Sequence, residues 1–195
     1  MSGIPEENTS PSGGIPTFTT STGPSVTNSA YINAILRHHN IHRTNHSANA
    51  LTWSPALADI AREIAQTCVY GHVTSVGGGG YGQNIGAGYT ADPFSMGKFI
   101  TEGLYNSEVN LYTAYGSEPN IADFTLWGHF TQVVWESTDS VGCYTADCTS
   151  NGLANAPGIS PFFTVCNYAP PGNYAGFFDV NIGSSIGLGT VYADY

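Results

Sequence analysis

The sequence predicts an α+β domain, because helical and extended patterns occupy different stretches of the chain. Apolar residues recur at helical spacing after Asn28, after Ser54 and after Pro93. Aromatic and β-branched residues dominate the later runs, which predict three strands at about 130–135, 141–147 and 161–168. A chain of 195 residues suits one domain with a full core.

Each predicted helix has a recognisable start. Asn28 or Ser29 can cap the first helix, since either side chain can accept a hydrogen bond from a backbone N–H of the first turn. Ser54 and Pro55 mark the second helix as N-cap and first-turn residue. Pro93 opens the third helix in the same way. The helices therefore precede the strand-rich part of the chain.

The most informative stretch is Gly128-His129-Phe130-Thr131-Gln132-Val133-Val134-Trp135. Its aromatic and β-branched residues alternate with polar ones, which predicts a strand with one buried face. His129 then stands where the strand begins, a position that a rigid element fixes while the adjoining loop leaves it open to solvent. An ordinary hydrogen-bonded histidine at a strand end is the alternative interpretation.

The chain divides into three segments by composition. Residues 1–27 are rich in Ser, Thr, Pro and Gly, and we expect a flexible, O-glycosylated lead-in there. Residues 28–180 form the predicted domain, and residues 181–195 form a glycine-rich tail for which an extra edge strand is one arrangement. The first residues lack the basic and apolar regions of a signal peptide, so a secreted protein of this sequence is a form without its signal.

Charge excludes several classes of partner. The chain has 4 Lys and Arg against 14 Asp and Glu, a net charge of −10. Such a surface repels phosphate backbones and anionic headgroups, which argues against nucleic acid and electrostatic membrane docking. No apolar run is long enough to span a bilayer. The low charged fraction of 9%, with abundant Gly, Ser and Thr, is typical of secreted proteins.

Four cysteines stand at widely spaced positions. An even number favours two disulfides formed in an oxidising compartment. No CxxC pair is present, which argues against a structural zinc cluster. The residues alone leave three pairings open. The cysteines are Cys68, Cys143, Cys148 and Cys166.

His38 and His42 stand four residues apart on the first helix, at the spacing of a metal-chelating pair. No Glu lies between them as in the HExxH motif of zinc peptidases. The favoured interpretation is a hydrated helix surface with His39 packed underneath. A metal site here is the alternative.

Several motifs taken together resemble the two signatures of the CAP superfamily of cysteine-rich secretory proteins, insect venom antigen 5 and plant pathogenesis-related class-one proteins. They are the stretch at 128–135, Gly142-Cys143, Cys166-Asn167-Tyr168 and Pro171-Gly172-Asn173-Tyr174. The resemblance extends from about Tyr31 to Tyr174. It implies a three-layer α-β-α sandwich with a central, mostly antiparallel sheet. It also implies the disulfides Cys68–Cys148 and Cys143–Cys166.

The resemblance further implies a cleft built from two histidines and two glutamates. His72, Glu108 and His129 match three of these positions, so they are the candidate metal ligands and the candidate catalytic residues. At the fourth position relatives have Gly-Glu-Asn, whereas this chain has Gln83. A glutamine cannot act as a general base, but it can orient an imidazole, which lowers the expectation of hydrolysis. Glu102 is the fallback for Glu108.

Zinc or another divalent cation is the cofactor that this cleft would hold, since imidazole and carboxylate are its ordinary ligands. Such binding is expected to be weak and to fail below about pH 6, because a free imidazole titrates near ~6.5. Four aromatic residues before His129 either clamp an apolar ligand or cover the core. They are Tyr112, Tyr115, Phe124 and Trp127.

The resemblance implies a secreted binding protein. Fungal members of the family carry sterols and fatty acids and act at host interfaces, and this chain looks like one of them. A host or cell-surface protein is a further partner that the resemblance implies, and so is a peptide released from about Pro171. The competing hypothesis is a metal-dependent peptidase or esterase that uses the same cleft. Neither a GxSxG motif nor an unpaired cysteine supplies another nucleophile.

Overall fold

The computed structural model describes residues 28–194, which form an α+β sandwich with one sheet between two helical layers. The predicted lead-in at 1–27 lies outside the described residues. The helices are α1 Ser29–Asn45, α2 Pro55–Ala65, α3 Pro93–Lys98, the π-helix Phe99–Asn106, α4 Gly128–Val134 and α5 Phe178–Asn181. The strands are β1 Thr52–Trp53, β2 Gly82–Ala87, β3 Ser140–Asp147 and β4 Phe162–Ala169. Short 3-10 turns lie at Val76–Gly78 and Ile121–Leu126.

The sheet has the order β1-β3-β4-β2. Strands β3 and β4 match two of the predicted strands and form an antiparallel hairpin, β2 is antiparallel to β4, and β1 is parallel to β3. The expected mostly antiparallel sheet is therefore confirmed. Strand β2 forms one edge of the sheet, and this edge carries Gln83 and Asn84.

The helix starts are confirmed. Asn28 Oδ1 accepts hydrogen bonds from the backbone N–H groups of Ala30 and Tyr31, and Ser54 Oγ accepts one from Leu57. Helix α2 covers one face of the sheet, and α1, α3, the π-helix and α4 cover the other. A side chain at Gly142 would lie 2.3 to 2.5 Å from backbone atoms of the second helix. Glycine there lets α2 approach the sheet closely.

Both expected disulfides are confirmed. Cys143 and Cys166 are register partners in the β3–β4 hairpin and are joined across it. Cys68, three residues after α2, is joined to Cys148 just beyond β3. All four cysteines of the chain are therefore paired. The two bridges tie the strands to each other and the end of α2 to the sheet.

The predicted strand at about 130–135 is wrong, because Gly128–Val134 is the helix α4. All its residues except His129 are buried, so the alternation of polar and apolar residues does not correspond to alternating exposure. The β-branched residues favour a strand by propensity, but tertiary packing overrides that preference. His129 is accordingly the second residue of a helix rather than the first of a strand.

The interpretation of His38 and His42 as a hydrated surface is also wrong. Both are buried, as is His39. Thr101 Oγ1 lies between the two rings, 2.8 Å from His38 Nδ1 and 2.9 Å from His42 Nε2. His46, one turn further on, is also buried and contacts the hydroxyl of Tyr105 at 2.8 Å. The helix therefore carries a row of four histidines into the interior.

The tail does not add a strand to the sheet. It starts at the last residue of the short helix α5, buries Ile182 and then runs along α1. Its contacts with Asn45 begin at Ser185 and include Leu188. None of the helices within residues 28–194 is long and apolar enough to cross a membrane.

The row of buried histidines predicts acid sensitivity. Burial lowers the pKa of His39 to about 4 and that of His42 to about 3, and it also lowers the pKa values of His38 and His46. In the unfolded chain each imidazole titrates near ~6.5. Below about pH 6.5 the unfolded state therefore binds more protons than the folded state. The contribution of these histidines to the free energy of unfolding is full above that pH and decreases towards pH 4.

We expect the urea midpoint to decrease between pH 7 and pH 5. Each histidine should contribute a slope of about 1.4 kcal/mol per pH unit. His42→Gln should reduce this slope, because it removes one of the buried imidazoles. Equal midpoints at pH 7 and pH 5 would contradict this explanation.

Candidate functional site

Glu108 and His129 form the centre of the candidate site. The Nδ1 of His129 lies 2.5 Å from Glu108 Oε1, and Oε2 accepts hydrogen bonds from the backbone N–H groups of His129 and Phe130, both at 2.9 Å. A carboxylate only accepts, so Nδ1 carries the proton and Nε2 of the neutral ring keeps its lone pair. The His129 side chain is 37% exposed and that of Glu108 is 10% exposed. The imidazole is therefore oriented from inside and open on its outer side.

Both ends of α4 are held by buried charges. The Glu108 carboxylate binds the amino end, where backbone N–H groups have no partner within the helix. The fully buried Arg43 guanidinium donates to the carbonyls of Val133 and Trp135 at the other end, at 3.1 and 2.8 Å. A negative group at the amino end and a positive group at the carboxyl end both match the helix dipole. This arrangement makes a seven-residue helix stable enough to carry His129.

His72 is oriented by Gln83. The ring Nδ1 lies 3.1 Å from Gln83 Oε1, which also accepts the backbone N–H of Val73 at 3.1 Å. The amide Nε2 of Gln83 donates to the Val73 carbonyl at 2.9 Å and to Asn167 Oδ1 at 3.0 Å. Every hydrogen-bonding group of the amide is therefore used. A glutamate here would place a negative oxygen against two acceptors, so glutamine suits this network better.

Strand β2 connects the Glu108–His129 pair to the Gln83–His72 pair. Gln83 binds His72, and the next residue, Asn84, donates to the His129 carbonyl at 3.2 Å. Successive strand residues point to opposite faces of a sheet. The Gln83 side chain therefore contacts His72 from the α2 face of this edge strand, and the Asn84 side chain holds the backbone at His129 from the α1 face. The structure joins Glu108 to His129 and Gln83 to His72, whereas Glu102 instead lies near Lys98, at 3.9 Å.

The Pro171-Gly172-Asn173-Tyr174 motif packs against α4. Asn173 Oδ1 accepts from Thr131 Oγ1 at 2.6 Å, and its Nδ2 donates to the Gly128 carbonyl at 2.9 Å. The backbone N–H of Gly172 donates to Gln132 Oε1 at 2.9 Å. The two distant motifs thus form one structural unit, in which residues after Pro171 hold the helix that carries His129. Release of a peptide from this point stays a prediction.

A cavity of about 650 Å³ lies between α1, the π-helix and the tail. Tyr112 and Tyr115 line it, and burial raises the pKa of each hydroxyl to about 12. Trp127 is buried against Tyr112, with ring centroids 5.3 Å apart, and so belongs to the core. Phe124 packs on Trp127 and is 37% exposed. Two of the four predicted ligand aromatics therefore border the cavity.

The residues present do not fit a zinc site with three protein ligands in this arrangement. Zinc requires three or four protein donors. Among residues 28–194, no group of three or more His, Cys, Asp or Glu side chains is placed to hold a metal ion. Glu108 uses both oxygens in hydrogen bonds, which gives it the role of orienting His129. Binding of zinc or another divalent cation by His72, Glu108 and His129 stays a prediction.

Three residues of the site escaped sequence reasoning. Arg43, Asn84 and Asn173 each support α4 or His129, and the sequence assigned a role in the site to none of them, although Asn84 and Asn173 belong to family motifs. A signal existed for Arg43, which stands four residues after His39 and so lies on the same side of α1. It was missed because an arginine in a polar run predicts a solvated surface.

The comparison with known sequences identifies a family. The model of the Cysteine-rich secretory protein family, CAP, matches residues 36–168. The chain is 49% identical over 145 residues to a "Probable pathogenesis-related protein" of Arthroderma benhamiae, covering 74% of this chain and 46% of the relative. It is 29% identical over 169 residues to "Secreted protein RBT4" of Candida albicans, covering 83% of this chain and 43% of the relative. The chain thus spans about half the length of these relatives.

The comparison with solved structures supports the same fold. The crystal structure of NaASP2 with Zn²⁺ matches 80% of this chain and 86% of its own, with a TM-score of 0.61 and 19% sequence identity. At that identity the likeness concerns the architecture of the sandwich. The expected three-layer fold is therefore confirmed.

Because every hydrogen-bonding group of the Gln83 amide has a partner, the effect of changing this residue can be predicted and tested. Gln83→Glu introduces the residue that the resemblance places here, yet it turns two donor contacts into repulsions with Val73 and Asn167. We expect a loss of about 1–3 kcal/mol in urea unfolding, because the oxygen of the buried Asn167 side chain loses its donor. The matched control Gln66→Glu changes an exposed glutamine and should be within about 0.5 kcal/mol. Equal effects of the two substitutions would exclude the proposed role of the amide.

Proposed function

This chain belongs to the cysteine-rich secretory protein family, and from that premise we propose that it is a secreted binder of small, uncharged amphipathic lipids such as sterols. The observation that carries the proposal is the cavity beside α1, whose volume of about 650 Å³ lies within the range of small-molecule sites. Secretion is supported by two disulfides and by the relative named as a secreted protein.

The chemistry of the cavity supports an uncharged ligand. Its lining combines apolar side chains such as Ile41, Val109 and Leu188 with amides and tyrosine hydroxyls, and it includes no Asp, Glu, Lys or Arg. His42 also lines it and is neutral at pH 7, since burial lowers its pKa to about 3. A carboxylate buried here would lack a cation, which is costly. A hydroxyl would find donors and acceptors, so sterols and fatty alcohols suit the cavity better than ionised fatty acids.

The proposed role of such a binder lies outside the cell. The relatives named as pathogenesis-related proteins support action at a host interface or in defence. The exposed rim of His129 is a surface that a host or cell-surface protein could contact, while the cavity holds the lipid. Cavity and histidine site lie on connected elements, because the loop between Tyr112 and Trp127 joins the π-helix region to α4.

Filling the cavity should abolish binding. Val109→Trp places a large ring where a half-buried valine lines the cavity, so we expect at least a tenfold loss of affinity for a fluorescent sterol. Val180→Trp, at a residue that is 69% exposed and outside the lining, is the matched control and should bind normally. A fatty alcohol should bind at least tenfold more tightly than the acid of the same length at pH 8. Undiminished sterol binding by Val109→Trp, or no uptake by the native chain, would contradict the proposal.

A hydrolase is the second candidate, and one observation favours it. The Glu108–His129 pair leaves an oriented Nε2 with a lone pair on the open side, which is the arrangement of a general base. His72, held by Gln83 rather than by a carboxylate, would at most bind or orient the substrate.

The two candidates make different predictions for His129→Ala. For a hydrolase, this change should reduce turnover of ester or peptide substrates by at least about 100-fold, since general-base catalysis contributes about 10²–10⁴. Sterol uptake should persist, because His129 does not line the cavity. Hydrolysis that is lost when a chelator is added would indicate a metal. Hydrolysis that survives both the chelator and His129→Ala would exclude His129 as the base.

A further inference from the structure

Residues 183–194, which we call the strap, form one wall of the cavity beside α1. The strap residues in the lining are Ser185, Leu188, Gly189, Thr190, Val191 and Tyr192. We propose that the strap gates the cavity, which is closed on this side when the strap is docked and opens when the strap swings away near Gly183. The inference names the regulation of the site in the proposed function and rests on that function only for the ligand.

The strap starts from a fixed point. Ile182 is 2% exposed and belongs to the same core cluster as Phe178 of α5. Gly183 then passes close to the end of α1, where a side chain at this position would lie 2.3 Å from the His46 carbonyl oxygen. From Ser184 to Thr190 every residue is exposed. Gly183 is held as well, because its carbonyl lies 2.6 Å from Nδ1 of the buried His46. The hinge therefore lies just after it, where the exposed part of the strap begins.

Asn45, the last residue of α1, holds most of the strap. Its Oδ1 accepts hydrogen bonds from Ser185 Oγ and from the backbone N–H of Leu188, both at 3.0 Å. Its backbone carbonyl accepts the N–H of Ile186 at 2.8 Å. Further along, Asn106 Nδ2 of the π-helix donates to the Val191 carbonyl at 3.0 Å. The Asn45 side chain therefore supplies two of the three hydrogen bonds that join the first half of the strap to α1.

Asp194 attaches the end of the strap, and its carboxylate lies 3.9 Å from Nε2 of the buried His38. Asp194 pairs with Arg37 at 2.8 Å, but these side chains are 58% and 48% exposed, and exposed pairs add little stability. The large apolar side chains of the strap point mostly to solvent, with Ile186 at 58%, Leu188 at 49% and Tyr192 at 69% exposure. Undocking would therefore expose little apolar surface that is now buried. Segments of this kind open at a small fraction of the cost of global unfolding.

The test uses a thiol placed inside the cavity. All four native cysteines are paired, so Val109→Cys introduces the one free thiol, and its labelling rate measures access to the cavity. We expect Asn45→Ala, made in that background, to increase the rate at least tenfold. The matched control Asn151→Ala, in the turn after Cys148, should leave it unchanged. Hydrogen exchange should show lost protection at the N–H groups of Ile186 and Leu188 in Asn45→Ala.

A second variant keeps the test decisive if Asn45→Ala folds poorly. A chain that ends at Ile182 keeps the buried anchor and lacks the strap, and its Val109→Cys form should label fastest of all. Equal labelling in the native, Asn45→Ala and shortened backgrounds would overturn the gate. A faster association of fluorescent sterol that parallels the labelling rates supports both proposals. Faster labelling without any sterol binding supports the gate and rejects the lipid as ligand.

Discussion

The helix that carries His129 exists because two buried charges hold its ends. Glu108 accepts the free N–H groups at the amino end, and Arg43 donates to carbonyls at the carboxyl end. A helix of seven residues has almost no stability of its own, since most of its backbone groups lie in the first or last turn. Glu108 and Arg43 come from different elements, so α4 can form only when the tertiary structure is complete. The same carboxylate also orients the imidazole, which couples the geometry of the site to the fold.

A chain of hydrogen bonds extends this coupling into the interior. The carbonyl of His129 accepts from Asn84, whose side chain also donates to the Tyr168 hydroxyl at 3.3 Å. That hydroxyl lies 2.8 Å from Nε2 of His39, and Nδ1 of His39 donates to the carbonyl of Ile35 at 2.8 Å. Because the Ile35 carbonyl can only accept, Nδ1 of neutral His39 carries the ring proton, and Nε2 accepts a hydrogen bond from the Tyr168 hydroxyl. Protonation of His39 would break this chain, which explains why burial of a neutral ring matters to the site.

The cavity and the histidine site differ in chemical character. The site at His129 is open, polar and held by charges, whereas the cavity is uncharged and partly covered by the strap. They share the π-helix region, since Glu108 lies two residues after it and Tyr105 within it lines the cavity. A π-helix is wider than an α-helix and is frequent at functional sites. Its position here sets both the reach of Glu108 to α4 and one wall of the cavity.

The sequence by itself determined the features that depend on local chemistry or on long, spaced motifs. The caps at Asn28 and Ser54 and the strands β3 and β4 are such features, and so, through the family resemblance, are the sandwich fold and both disulfides. The resemblance also singled out Glu108 and His129, whose side chains lie 2.5 Å apart. Only the tertiary structure decided that residues 128–134 are helical. It alone also buried the histidines of α1, used up the amide of Gln83 and placed the tail over a cavity. The physical reason is common to these cases: propensity and periodicity describe neighbours along the chain, whereas a buried charge or a shared hydroxyl depends on residues that meet only after folding.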